Sequence, residues 1–160
     1  MENIEKHLIF RIKDQQFTAE VSHVSTIIQI PRVFKVPQAP DYIMGVINLE
    51  GDVIPVVDTA KKLKMGEIQR NKLSQVIIMQ RPLESTDRLH RLGFLVDEVN
   101  DVVEIDSRRI QALPTSKYEF DERLVDGMHK VGDEFCMQVN IANFFKGELE
   151  ELMGSLSAQL

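Results

Sequence analysis

Residues 45–58 read Gly-Val-Ile-Asn-Leu-Glu-Gly-Asp-Val-Ile-Pro-Val-Val-Asp, and no other stretch restricts the fold of this chain so tightly. Two apolar, β-branched runs, Val46-Ile47 and Val53-Ile54-Pro55-Val56-Val57, flank Glu50-Gly51-Asp52. That is the composition of a β-hairpin closed by a glycine-containing turn. A hairpin this apolar needs a second sheet to cover it, with Ile47, Ile54 and Val56 in the core. The same residues offer no nucleophile, no cluster of metal ligands and no phosphate cradle. The glycines at 45 and 51 are followed by Asp52 rather than by Lys and Ser or Thr. The segment reads as a packing and docking device, not a reaction site.

The flanking sequence reads mostly as strands. Leu8, Phe10 and Ile12 alternate with polar residues, as do Phe17, Ala19 and Val21 after the polar turn at 13–16. Val21, Val24 and Ile28 fall at helical spacing, which suggests a short helical turn or a bent strand. Pro31, Pro37 and Pro40 make 32–36 an edge strand or extended connector. Asp58 or Thr59 caps a short helix, Ala60 to Leu63, ending near Gly66. Ser74 to Met79 and Leu92 to Val96 read as buried strands, Gly93 permitting close backbone approach, with a polar loop from Arg81 to Arg91 between them. A loop from Pro114 to Asp121 is followed by strands Leu124 to Val131 and Phe135 to Val139. One helix runs from about Ile141, with Phe144, Phe145, Leu149, Leu152, Met153 and Leu156 at helical spacing.

The order of elements occurs twice. Val24-Ser-Thr-Ile-Ile-Gln-Ile30 echoes Val99-Asn-Asp-Val-Val-Glu-Ile105, each preceded by a related strand, and Gly51 to Leu63 is echoed by Gly132 to Phe145. Asp58 and Asn140 take equivalent places at the two helix starts. Two copies of a short strand set suggest two small barrels. Each is too small to bury much surface alone, so the halves pack together and leave an apolar seam where a partner helix can lie.

Several function classes fall away. The net charge of −6, with Lys and Arg dispersed, argues against nucleic acid as a partner. No apolar run reaches the roughly 20 residues of a membrane span, and the first residues lack a secretory signal. A cytoplasmic protein is expected, recruited to membrane-associated arrays only through a partner. His7, His23, His90 and His129 are scattered and expected at the surface, with no metal site among them. The acidic residues Asp97, Glu98, Asp101, Glu104 and Asp106 lack the glycine and terminal glutamate of a calcium loop and read as a solvated edge. The single cysteine, Cys136, excludes an intrachain disulfide. It lies across its strand from Phe135, Met137 and Val139 and has no neighbouring motif that makes it a nucleophile. No catalytic residue and no cofactor are expected.

Gly45 to Asp58 resembles the signature of the CheW-like domain family, adaptors of bacterial chemosensory arrays. Val24-Ser-Thr-Ile-Ile28, the Val36-Pro37 step, Gly93-Phe-Leu-Val-Asp-Glu-Val99 and the closing Phe135 to Phe145 segment agree with it, so the similarity runs from about Leu8 to Leu149. The resemblance implies a mainly β fold of two intertwined five-stranded SH3-like barrels with short helices. The chain would be one domain, 1–160, with lobes at about 15–90 and 1–14 plus 91–147, and a C-terminal helix at 148–160. It also implies an adaptor coupling the cytoplasmic tip of methyl-accepting chemoreceptors to the regulatory domain of the histidine kinase CheA.

Carried onto this chain, the receptor groove is Val24, Ile27, Ile28, Val99 and Val102. The kinase or partner contacts are Thr26, Asn48, Glu50, Gly51 and Asp52. Two positions depart from the family pattern: Glu50 stands where arginine is common, and Thr26 where an acidic residue is frequent. Those departures keep open a kinase-binding regulator of another output, such as pili, and a decoy that binds the kinase but not receptors. A small ligand-binding β-barrel is the rival from another class.

Overall fold

The computed structural model describes residues 3–82, 89–113 and 121–158, with side chains as far as 154. In chain order the strands are β1 (Ile4–Ile12), β2 (Gln15–Glu20), β3 (Val24–Gln29), β4 (Ile43–Leu49), β5 (Asp52–Asp58), β6 (Gln75–Pro82), β7 (Leu89–Val96), β8 (Glu98–Asp106), β9 (Val125–Val131) and β10 (Glu134–Val139). The helices are α1 (Thr59–Leu63), α2 (Ile141–Phe144) and α3 (Glu148–Ala158). A 3₁₀ turn at Val21–His23 leads into β3.

The strands form two five-stranded sheets, in the orders β8-β1-β2-β10-β9 and β3-β6-β7-β5-β4. Each sheet takes its β1–β2 or β6–β7 hairpin from one half of the chain and its other three strands from the other half. Each has one parallel pair, β2 with β10 and β7 with β5, joining the two contributions. The halves are therefore interlocked through main-chain hydrogen bonds.

This pairing divides the strands differently from lobes at 15–90 and 1–14 plus 91–147. Residues 15–20 stay with β1, because the two-residue turn at Lys13-Asp14 closes Ile12 against Gln15. Residues 91–96 lie in β7, zipped antiparallel to β6 from Gln75–Val96 to Pro82–Leu89. One sheet thus draws on residues within 4–20 and 98–139, the other on residues within 24–96.

The internal echo in sequence has a counterpart in bonding. Asp58 Oδ1 accepts from Lys61 N at 3.1 Å to cap α1, and Asn140 Oδ1 accepts from Asn143 N at 2.8 Å to cap α2. Both capping residues also donate their backbone N–H back to the hairpin, to Tyr42 O and Leu124 O, each at 2.8 Å. Strand β4 is bridged on its outer side at Phe34–Val46 and β9 at Gln111–Met128. Gly45 and Gly127, which precede the two bridged residues, are both crowded by the bridging segment, at Phe34 O and Gln111 O respectively.

Asp58 carries more than its cap. Its two carboxylate oxygens also accept from Ile68 N at 3.3 and 3.0 Å, holding the segment after α1. Asp58→Ala removes the cap and strands the buried Ile68 N–H, at an expected cost of about 2 kcal/mol. Asn140→Ala should cost about 1 kcal/mol, since beyond the cap it loses only an exposed hydrogen bond, Nδ2 donating to Asp126 Oδ1 at 2.7 Å. Urea unfolding of the two variants gives the comparison.

Buried side chains of both sheets meet in one core, whose largest members include Phe10, Phe17, Phe94, Phe144 and Phe145. Phe10 and Phe17 stack across β1 and β2 at 6.3 Å, and Phe94 of β7 meets Phe144 of α2 at 4.6 Å. Ile47, Ile54 and Val56 are core residues, as their composition implies. Gly93 is crowded by Val76, Val56 and the Pro55 carbonyl, which leaves no room for a side chain.

Three local expectations change. The helix expected from Ile141 is two helices, broken at 145–147, where Gly147 has φ +68°. Leu149 and Met153 of α3 are buried, while the Leu156 side chain lies outside the described residues. The left-handed residue ending α1 is Lys64 rather than Gly66, since the chain closes at once by donating Met65 N to Ala60 O at 2.8 Å. The expected loop from Arg81 to Arg91 begins and ends in strand, and its centre, 83–88, lies outside the described residues, as does 114–120.

Candidate functional site

Strands β3 and β8 occupy corresponding edges of the two sheets, hydrogen-bonded on one side only, to β6 and β1 respectively. Their other edges have no strand partner among the described residues. On β3, Val24 lies opposite Met79, Ile27 opposite Ile77 and Ile28 opposite Val76, with a register shift between Val24 and Thr26. All three apolar side chains are half-buried against the core, whereas Thr26 is exposed. On β8, Val99 is half-buried opposite Phe10, and Val102, opposite Leu8, is 48 % exposed. The five residues thus lie along two edges, three on one sheet and two on the other. The 3₁₀ turn entering β3 touches both β1 and β6, the strands these edges flank.

Asn48, Glu50, Gly51 and Asp52 gather in the β4–β5 turn. Leu49 pairs with Asp52 around Glu50 at φ +53° and Gly51 at φ +88°, the backbone of a type I′ turn. Asn48 Oδ1 accepts from Gly51 N at 3.2 Å and stiffens it. All four residues are exposed. Asp52 stands 3.3 Å from Arg91 of β7, a surface pair that contributes less than about 1 kcal/mol. The tip therefore presents the Glu50 carboxylate to solvent on a rigid support.

Side chains expected at the surface are partly interior. His7 and His129 are buried and meet edge to face at 5.6 Å; His23 and His90 are half-buried. His7 Nδ1 lies 3.2 Å from Thr18 Oγ1, and His129 Nε2 lies 2.7 Å from Gln138 Oε1. Burial first, and then His129, hold the His7 pKa below its usual value, against the opposing pull of Glu20. Strand β1 is covered on both faces from His7 to Phe10, so simple alternation does not report its polar side. Among the described residues, Glu5, His7 and Glu20 bring possible metal-ligand atoms within 4.8 Å of one another. No sequence spacing announces this group, because Glu20 meets His7 as a cross-strand partner.

The acidic run is likewise not wholly solvated. Asp97 is buried, and its Oδ2 accepts from Lys13 N at 2.5 Å, pinning the β1–β2 turn, while Glu98 pairs with Arg11 at 3.3 Å. Cys136 is buried, as is Met137 beside it, while Phe135 is 45 % exposed. Burial, with Glu134 adding to it, pushes the Cys136 thiol up to about 11. At pH 8 a thiol reagent should label the native chain on the order of a hundredfold more slowly than the unfolded chain, from the smaller thiolate fraction alone. Equal rates would place this thiol at the surface.

Comparison with known proteins converges on one family. A family model described as "CheW-like domain" matches residues 6–148. The chemotaxis protein CheW of Rhizobium meliloti is 29% identical over 159 residues, covering 94% of this chain and 99% of that protein. That of Bacillus subtilis is 32% identical over 111 residues, 69% of this chain and 67% of the other. The crystal structure of the scaffolding protein TtCheW from Thermoanaerobacter tengcongensis is similar with a TM-score of 0.78 at 26% identity, over 91% of this chain and 90% of that one.

Proposed function

The chain belongs to the CheW-like domain family, and on that footing we propose that it is a non-enzymatic chemotaxis adaptor. It couples the cytoplasmic tip of methyl-accepting chemoreceptors to the regulatory domain of the histidine kinase CheA by protein–protein contacts alone. The observation that carries this reading is the pair of one-sided edge strands, β3 and β8, set at equivalent places in an interlocked frame. Half-buried apolar side chains on such edges support docking of an amphipathic receptor helix. In this reading Val24, Ile27, Ile28, Val99 and Val102 form the receptor surface, while Thr26 and the tip at Asn48, Glu50, Gly51 and Asp52 meet the kinase. No cofactor is needed, since a frame that holds receptor and kinase together transmits a change by shifting populations. The site of action is the cytoplasmic face of the receptor array.

Val102 separates binding from folding, because it is exposed on an edge strand. Val102→Asp should leave the midpoint of urea unfolding nearly unchanged and weaken binding of a receptor signalling fragment at least tenfold, as for a central apolar contact. Unchanged affinity would remove β8 from the receptor surface.

Glu50 favours a second reading, a regulator of another output that uses the same kinase contact. Charge across an interface governs partner choice. Glu50→Arg is expected to change kinase-domain affinity by about tenfold or more, with stability shifting by less than about 0.5 kcal/mol. Equal binding of both forms to kinase and receptor fragments would make the charge irrelevant. The ligand-binding barrel is disfavoured because Phe10, Phe17 and Phe94 already fill the interior against which the strands pack.

A further inference from the structure

We propose that Glu5, His7 and Glu20 form a binding site for a divalent cation of the zinc type, placed where the chain leaves the first sheet for the second. Glu5 and His7 are two residues apart on β1 and share a face, and Glu20 lies directly across β2 from His7. Their candidate ligand atoms all lie within 4.8 Å of one another, and His7 Nε2 is 3.7 Å from Glu5 Oε2. In a tetrahedral zinc site with bonds of about 2.0–2.1 Å, ligand atoms stand about 3.3–3.5 Å apart. Small rotations of the carboxylates close that difference.

A second observation points the same way. The His7 side chain is fully buried, yet among the described residues its Nε2 has no hydrogen-bond partner, and neither does the buried Glu5 Oε2 3.7 Å away. Orphaned buried polar atoms are costly and rare. When Nδ1–H donates to Thr18 Oγ1, the Nε2 lone pair is directed away from that bond and toward the carboxylates. A second ring hydrogen bond of this kind commonly orients a metal-bound histidine.

The two carboxyls also oppose each other. Their oxygens lie within 4.8 Å of each other, close enough for two carboxylate charges to repel. A cation between them removes that repulsion.

One imidazole and two carboxylates suit a borderline cation. Calcium requires six to eight oxygens and magnesium an octahedron, which this donor set does not supply. Entry is open, since the side chains of Glu5 and Glu20 are 42% and 32% exposed, and water completes the fourth position. Glu20 immediately precedes the 3₁₀ turn into β3, so a bound ion ties β1 to the crossover that supplies one docking edge.

The test uses the full chain, stripped with chelator and titrated with zinc alone. At about a hundredfold excess over Kd, Tm is expected to rise by about 5–10 °C and to return on adding EDTA. Cobalt in place of zinc should give the visible absorption of a tetrahedral ion. Glu5→Gln and Glu20→Gln, both on half-exposed side chains, should fold as the parent does and bind at least tenfold more weakly. His7→Gln should lose the cobalt spectrum. The proposal is overturned if zinc leaves Tm unchanged, or if the shift survives undiminished in the Glu5→Gln, Glu20→Gln double variant, which would put the ion elsewhere on the chain.

Discussion

Gly45→Val is expected to destabilise the chain by about 3 kcal/mol or more. Two causes act together. Gly45 has φ +150°, a conformation that a β-branched residue adopts only under strain, and an added Cβ would overlap the Phe34 carbonyl and lie 2.9 Å from Val33 Cγ1. The carbonyl cannot step aside, because it accepts from Val46 N at 2.8 Å in the bridge that covers the β4 edge. Gly51→Ala is the control: its turn has nothing within 4 Å of an added Cβ, so only the cost of φ +88° applies, about 1–2 kcal/mol. Urea unfolding of both variants decides the matter. A loss below about 1 kcal/mol at Gly45 would mean that the 34–46 bridge gives way freely, against the packing described.

Phe94→Ala should cost about 3–5 kcal/mol, the range for removing a buried aromatic ring. Phe94 is fully buried on β7, between β6 and β5, and its ring meets Phe144 of α2 at 4.6 Å. It therefore touches contributions from both halves of the chain. Because each sheet contains strands of both halves, the loss should lower one common transition instead of melting one sheet first. Fluorescence or NMR probes placed in each sheet should report the same midpoint. Two separated midpoints would show that the sheets are independently stable.

Much of this architecture is legible in the sequence where local chemistry decides. Alternation marks β1 and β2, the Glu50-Gly51 turn marks the hairpin, and Asp58 and Asn140 mark the starts of α1 and α2. The repeated order of elements marks two matched strand sets, while their interlocking was implied only by the family resemblance. Allocation of strands to sheets was less accessible, because residues 15–20 and 91–96 could join either sheet by composition, and only hairpin closure keeps them with β1 and β6. The helix break at Gly147 was hidden by apolar spacing that continues across it. Burial of His7, His129 and Asp97 was hidden for another reason. Each is satisfied or faced by a partner distant in sequence, such as Gln138 for His129 or the Lys13 N–H for Asp97, and no local pattern records a tertiary partner.

The proposed docking edges are less legible than the frame that holds them. Val24, Ile27, Ile28 and Val99 are each half-buried, so an apolar residue there serves core and surface alike, and sequence pattern cannot divide the roles. Binding does divide them. The purified chain, mixed with its host's CheA regulatory domain and a chemoreceptor signalling fragment and passed over a sizing column, should co-elute with each partner separately and with both together. Elution alone in every mixture, or with the kinase domain but never with the receptor fragment, would contradict the proposed coupling between them.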